Sequence, residues 1–204
     1  MIAAISLMRR LDAVDIHRFR RHWLDIHGPL VQSFPGLRQY VQCHIIDNPA
    51  TNAAARALRI DGFPILYFNN DADRKLAHGS PAMAACNIDS QQFIGAVSRV
   101  ITTPVEIVPP GAPHGRMSAI VVCPADSDPA PVEQQLHRLP ALRALTRYDP
   151  LEQGPAPAST VPHLGAAVSA IFQAWFDSLI DLEAAMAGFD LPTFAVEEHW
   201  LPPT

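Results

Sequence analysis

Histidine and tyrosine are the side chains that most readily move or hold a proton near neutral pH, and both occur in one short stretch near the N-terminus, residues 22–44. Ile16, Phe19, Trp23, Ile26 and Leu30 recur at helical spacing and form one apolar stripe. His27 falls roughly 60° from the centre of that stripe at about 100° per residue, so its ring is aimed at the edge of the buried face. Beyond a Pro35-Gly36 turn, Tyr40, Gln42 and His44 alternate with Val41, Cys43 and Ile45, which puts three polar side chains on one face of a strand. If that helix and strand pack together, His27 meets the polar face.

The elements that must hold these residues run through the whole chain. Residues 2–8 read as a buried strand, residues 12–15 as helix-start residues, and the amphipathic helix continues to about Ser33, with Gly28-Pro29 expected to bend or break its last turns. Strands follow at 37–46 and 62–68, where Pro64 suggests an edge or a bulge. A helical region over 72–100, interrupted at Gly79-Ser80-Pro81, precedes a fourth strand at 105–108. This βαββαβ order is that of a ferredoxin-like unit. The pattern then recurs, with strands at 117–123, 168–176 and 194–200, helices at 132–139 and from Asp177-Ser178 to about Ala187, and a Pro-, Ala- and Ser-rich mobile loop at 152–163. Pro140-Ala141-Leu142-Arg143 echoes Pro35-Gly36-Leu37-Arg38 about 105 residues later. The expected fold is α+β: tandem ferredoxin-like repeats, residues 1–109 and 116–204 joined by a linker at 109–116, whose sheets cover each other in a pseudo-dimeric α+β barrel within one chain. Further homodimerisation is compatible with that arrangement.

Composition narrows the functions. The 204 residues are 49% hydrophobic and 17% charged, with a formal net charge of −5, which describes a globular chain without a basic stripe for nucleic acid. No apolar run reaches membrane-spanning length, and the three scattered cysteines suit a reducing compartment, so a soluble cytoplasmic protein is expected. No Gly-x-Gly-x-x-Gly, Walker or Gly-x-Ser-x-Gly motif is present. His17, His22 and His27 are spaced by five and do not share a helix face. Neither a metal nor a cofactor is expected.

The stretch His22-Trp23, His27-Gly28-Pro29-Leu30, Pro35-Gly36-Leu37 and Tyr40 resembles the EthD-like family of the dimeric α+β barrel superfamily; the likeness is strongest over residues 1–47. In that family and in similar lactone isomerases a cavity lies between the sheet and the helices of a unit. The resemblance implies that His27 and Tyr40 line it as catalytic residues, His27 carrying a proton and Tyr40 donating a hydrogen bond to a carbonyl or oxyanion. Gln42 and His44, which share the face of Tyr40, would orient substrate, with Trp23 beside them. In the second half the positions of His27 and Tyr40 fall on Val132 and Leu145, so the first half is expected to hold the site and the second to complete the barrel. The implied function is a cofactor-independent isomerase, lyase or cyclase acting on a small apolar or aromatic-derived compound. A cofactor-independent oxygenase, or a non-catalytic ligand-binding or accessory protein, is the alternative. The bland reading stands beside it: His27 buttressing the Gly28-Pro29 kink, and Tyr40 and His44 as ordinary half-buried strand residues.

Overall fold

The computed structural model describes residues 1–110, 117–155 and 159–204. Residues 111–116, most of the expected linker, and 156–158, part of the expected mobile loop, lie outside the described residues.

Eight antiparallel strands close into a barrel: β1 (Ile2–Arg10), β2 (Leu37–Ile45), β3 (Gly62–Phe68), β4 (Ile94–Val108), β5 (Met117–Pro124), β6 (Ala144–Gly154), β7 (Val168–Phe176) and β8 (Thr193–Leu201). Around the barrel they run β1-β3-β2-β8-β5-β7-β6-β4. Each half contributes a block of the same order, β4-β1-β3-β2 and β8-β5-β7-β6, and the two seams match: Tyr40 pairs with Leu201 across one, and Leu145 with Val108 across the other. The turns before β2 and β6 also match, since Gly36 and Ala141 both take positive φ, +74° and +59°.

Strand alternation sends every second side chain inward. Ile5, Leu7, Val41, Phe63, Ile65, Val100, Ile120, Ile171 and Phe194 fill the barrel interior. Among them sits a buried polar network. Glu198 Oε1 accepts from Ser118 Oγ, Gln173 Nε2 and Trp175 Nε1 at 2.7, 2.7 and 2.6 Å, while Oε2 accepts from Trp200 Nε1 at 2.8 Å. Burial pushes the Glu198 carboxyl above its ordinary value, although these four donors oppose it.

Helices α1 (Ile16–His22), α2 (Gly28–Gln32), α3 (Ala53–Ala57), α4 (Asp71–His78), α5 (Pro81–Ser90), α6 (Pro129–His137) and α7 (Leu179–Met186) lie outside the barrel. Over the second half, Val132, Leu136, Leu145, Phe172, Phe176, Leu182 and Met186 form a continuous apolar layer. The corresponding layer of the first half is divided into two clusters, one around Val31, Phe34 and Tyr40 and one around Phe19, Trp23 and Phe93.

Several expected elements are corrected. Residues 94–100 are strand, not helix: α5 stops at Ser90, and a run rich in Val, Ile and Thr makes β4 fifteen residues long. Residues 152–154 belong to β6, where they pair with Arg99–Ile101, and not to a loop. Pro64 lies inside the sheet, between β1 and β2; it is accommodated because the β1 ladder breaks there, from Ile5–Ile65 to Met8–Gly62. Gly28-Pro29 does not break the first helix. Trp23–His27 forms a π-helical turn that joins α1 to α2, with Gly28 N–H bonded to Trp23 O, so the ladder bond that Pro29 cannot donate is absorbed by the wider turn. The extra residue also rotates the register. Ile26, expected in the apolar stripe, is exposed, and His27 turns inward in its place.

Candidate active site

The π turn and β2 meet under the first half's helices. Trp23 is fully buried and its Nε1 donates to the Tyr40 hydroxyl at 2.9 Å. Gln42 Nε2 donates to the same hydroxyl at 3.0 Å and to Trp23 O at 2.9 Å, and Gln42 Oε1 accepts from His44 Nε2 at 2.9 Å. The Tyr40 oxygen thus receives two hydrogen bonds and keeps its own proton to give. Burial raises the Tyr40 pKa far above its ordinary value, so the group is a hydrogen-bond donor and not a base. Burial, together with the charges of His199 and Arg20, pushes His44 down to about 3, which keeps it neutral; its ring stacks on Trp23 at 4.5 Å. Two glycines make this packing possible. A Cβ on Gly28 would stand 3.1 Å from Gln42 Nε2, and one on Gly62 would stand 2.4 Å from the Trp23 ring.

His27 is held from the other side by α5. Its Nδ1 lies 2.8 Å from Asp89 Oδ2, and His22 Nε2 lies 2.8 Å from Asp89 Oδ1. Burial alone would raise the Asp89 carboxyl; the bonds from His27 and His22 outweigh it and hold the group below its usual range. An ionised carboxylate only accepts, so both contacting ring nitrogens carry protons. In neutral His27 the lone pair therefore sits on Nε2, where a proton can be received, and no described residue bonds that nitrogen. The π turn sets the azimuth of the ring and Asp89 sets its tautomer.

His27, Tyr40 and Trp23 line a cavity of about 130 Å³ between the sheet and α5, with Ser6, Leu66, Val31, Phe34, Met83 and Cys86 in its wall. That volume approaches the ~150 Å³ of a cavity that takes one benzene ring. His78, Asn87, Ser90, Arg99, Ser159 and Val161 are also part of the lining. Burial, with the charges of Arg99 and Arg74, drops His78 to about 4, so it too is neutral. A larger depression of about 300 Å³ at the barrel mouth is lined by Arg9, Arg10, Arg20, Arg56 and Arg59. Three of these arginines are paired, Arg10 with Asp61, Arg59 with Asp12 and Arg56 with Asp47, while Arg20 donates to Ile45 O and keeps a buried Nε without an acceptor among the described residues.

Of the residues singled out from sequence, His27, Tyr40 and Trp23 face the cavity. Gln42 and His44 are not among its lining residues; they stand behind Tyr40 and Trp23 and hold them. Sequence reasoning did not single out Asp89, His78, Arg99 or the second half's contribution. The second half does more than complete the barrel: Ser159 and Val161 close one side of the cavity, tied to β4 by Val97 N–H on Pro162 O at 2.9 Å and Leu164 N–H on Val97 O at 3.1 Å. The run Val97, Val100, Ile101, Thr102, Thr103 was the signal for β4 and, through it, for Arg99 on the cavity face. Among the described residues no three His, Cys, Asp or Glu side chains converge as metal ligands, and no helix is long and apolar enough to cross a membrane.

Known proteins resemble this chain over part of its sequence and in its fold. The EthD domain model matches residues 12–96, a span that includes His27, Tyr40 and Asp89. An anthrone oxidase-like protein superposes with a TM-score of 0.57 at 11% identity, over 98% of this chain and 93% of the other. A candidate monooxygenase of Lactobacillus acidophilus gives 0.55 at 10% identity, over 99% and 96%. An EthD family protein from Bacillus halodurans is 22% identical with a TM-score of 0.42, covering 50% of this chain and 95% of that one. No curated protein matches the sequence. Residues 12–96 are thus similar to the EthD domain, in a chain whose eight-stranded antiparallel barrel has the α+β fold of these neighbours.

Proposed function

We propose that the chain is a small-molecule enzyme made of two ferredoxin-like units, residues 1–109 and 116–204, with one proton-transfer site in the first. His27 Nε2 removes a proton from a carbon next to a carbonyl, Tyr40 hydrogen-bonds the oxygen as negative charge develops on it, and the proton returns at another position or a bond is eliminated. Asp89 and His22 hold His27; Gln42, His44 and Trp23 hold Tyr40. The observation that carries this reading is the pairing of a histidine base, its tautomer fixed by a carboxylate, with a tyrosine whose proton is left to donate, both on one ring-sized cavity. That cavity suits a cofactor-independent isomerase, lyase or cyclase acting on an apolar or aromatic-derived compound. The names of the two neighbours, oxidase-like and monooxygenase, favour a second outcome for the same carbanion, in which it is oxidised by dissolved O₂.

The test is exchange of carbon-bound protons in D₂O, followed by NMR over a panel of lactones, cyclic ketones and phenols. His27→Gln should slow exchange by about 10²–10⁴-fold with the fold retained by circular dichroism. Oxygen uptake in parallel separates isomerisation from oxidation. Exchange unaffected by His27→Gln, or ligand binding without any turnover, would overturn the enzymatic reading in favour of a binding protein.

A further inference from the structure

Among the described residues Arg99 has the most buried side-chain N–H groups without an acceptor. It is 5% exposed, sits on β4 and lines the cavity beside His78. One guanidinium nitrogen, Nη2, bonds Glu152 Oε1 at 2.5 Å. The other two, Nε and Nη1, are buried and no described residue accepts from them. Buried N–H groups without acceptors are costly, and Glu152 meets only Nη2. Glu152 is half exposed and shared with Arg74, which lies 3.6 Å away and is itself committed to Asp71. His78 adds no negative charge, and the remaining nearby walls, Ser6 and Val97, are neutral.

We propose that the ligand of this cavity is a small organic carboxylate, one ring or less in size, whose oxygens take the free N–H groups of Arg99 while its hydrocarbon part lies against Trp23, Tyr40 and Leu66. This deepens the proton-transfer reading and rests on the same cavity being the substrate site. The planar guanidinium matches a carboxylate in a way a lone ammonium does not. The anchored acid would then present its own carbon skeleton to His27 and Tyr40, and an apolar wall with one fixed cation would select an acid over the neutral compound of the same shape.

The experiment is calorimetric titration of the whole chain with matched acids and amides: benzoate against benzamide, 2-furoate against 2-furamide, crotonate against crotonamide. The acid of at least one pair should bind at least tenfold tighter than its amide. Arg99→Met should abolish that preference, Arg99→Lys should keep part of it, and Glu152→Gln, at a half-exposed position, should strengthen acid binding several-fold. If Arg99→Met does not fold, the wild-type preference and Glu152→Gln decide the matter. Equal binding of acid and amide, no acid binding up to millimolar concentration, or a preference that survives Arg99→Met overturns the proposal. His27→Gln should keep the preference: an acid site that persists while exchange chemistry fails leaves Arg99 standing without the enzymatic reading, and the converse leaves the enzyme with a neutral substrate.

Discussion

Asp89→Asn is the substitution that isolates how His27 is held. The carboxylate accepts one charge-assisted bond from His27 and one from His22, each at 2.8 Å, with only 14% of its side chain exposed. An amide of the same shape offers one acceptor and one NH₂ group, so only one histidine can still donate to it. The other must present a lone pair or lose its bond. Hydrogen bonds to charged groups contribute about 1.5–3 kcal/mol each. Losing one outright and the charge on the other should cost about 2–3 kcal/mol, or a fall of about 5–10 °C in Tm for a chain of this size. The effect has a pH signature. The Asp89 carboxyl is held below its ordinary 3.8, so its contribution is present above that pH and is lost as pH falls through the lowered value. The gap between wild type and Asp89→Asn should be full near neutral pH and shrink below 3.8.

The chemistry should suffer more than the fold. Where the amide NH₂ faces His27, the ring proton moves to Nε2 and the base is lost; where it faces His22, His27 still loses the carboxylate that stabilises its protonated form. Proton exchange should drop by about 10²-fold or more. The assays are urea unfolding across pH, deuterium exchange into substrate, and nitrogen NMR of the histidine rings, which reads the tautomer directly. A variant whose His27 keeps its proton on Nδ1 and whose exchange rate is unchanged would refute the assignment of Asp89 as the group that positions the base.

Two further predictions concern the frame. Ala141 adopts φ +59°, where its partner in the first half is Gly36 at +74°, and a residue with a Cβ in that region costs about 1–2 kcal/mol. Ala141→Gly should therefore stabilise the protein by about 0.5–1 kcal/mol after the added unfolded-state entropy, and an unchanged or lowered urea midpoint would count against the strain. Inside the barrel, the Glu198 carboxyl is raised above its ordinary 4.5, so whatever stability it contributes is fully present below that pH and is lost as pH rises through the raised value. Glu198→Gln should remove this component, so that its stability relative to wild type improves from pH 4.5 upward in unfolding curves; identical pH dependence in the two proteins would contradict it.

Much of the frame was legible in the sequence because it depends on local signals. Pro35-Gly36 and Gly188 mark turns, Asp15 and Ser178 cap helices, and the short apolar runs of β1, β3, β5, β7 and β8 carry the barrel. What misled was context. Ile94–Val100 follows a helix without a strong stop, and its Gly95-Ala96 start hides the β-branched run behind it. The π turn is invisible to a fixed 100° period, so Ile26 and His27 exchanged places. Asp89 was hidden because it acts across 62 residues of sequence, and no local pattern marks a carboxylate that will sit under two histidines of another helix. Gln42 and His44 were read correctly as sharing the face of Tyr40, but period 2 fixes a face and not a depth: the π turn brings Trp23 over them, and the cavity stops at Tyr40.

The asymmetry of the two halves has a physical logic. A barrel formed by two identical chains must place the same residues on both outer layers, so any cavity, buried arginine or polar cluster that weakens one layer weakens the other as well. A single chain is free of that constraint. Here Val132 and Leu145, buried in the second half, belong to a continuous apolar layer. Burying such a layer contributes roughly 25 cal/mol per Å² of apolar surface, a reserve against which the two acceptor-less N–H groups of Arg99 and the cavity of the first half can be tolerated. The second half also reaches across the seam: Glu152 meets Arg99, and Ser159 and Val161 wall the cavity. A variant that loosens the second layer should therefore alter ligand binding in the first through β6 and the 159–164 segment, because the same strand that packs Leu145 into the apolar layer carries Glu152 to the site.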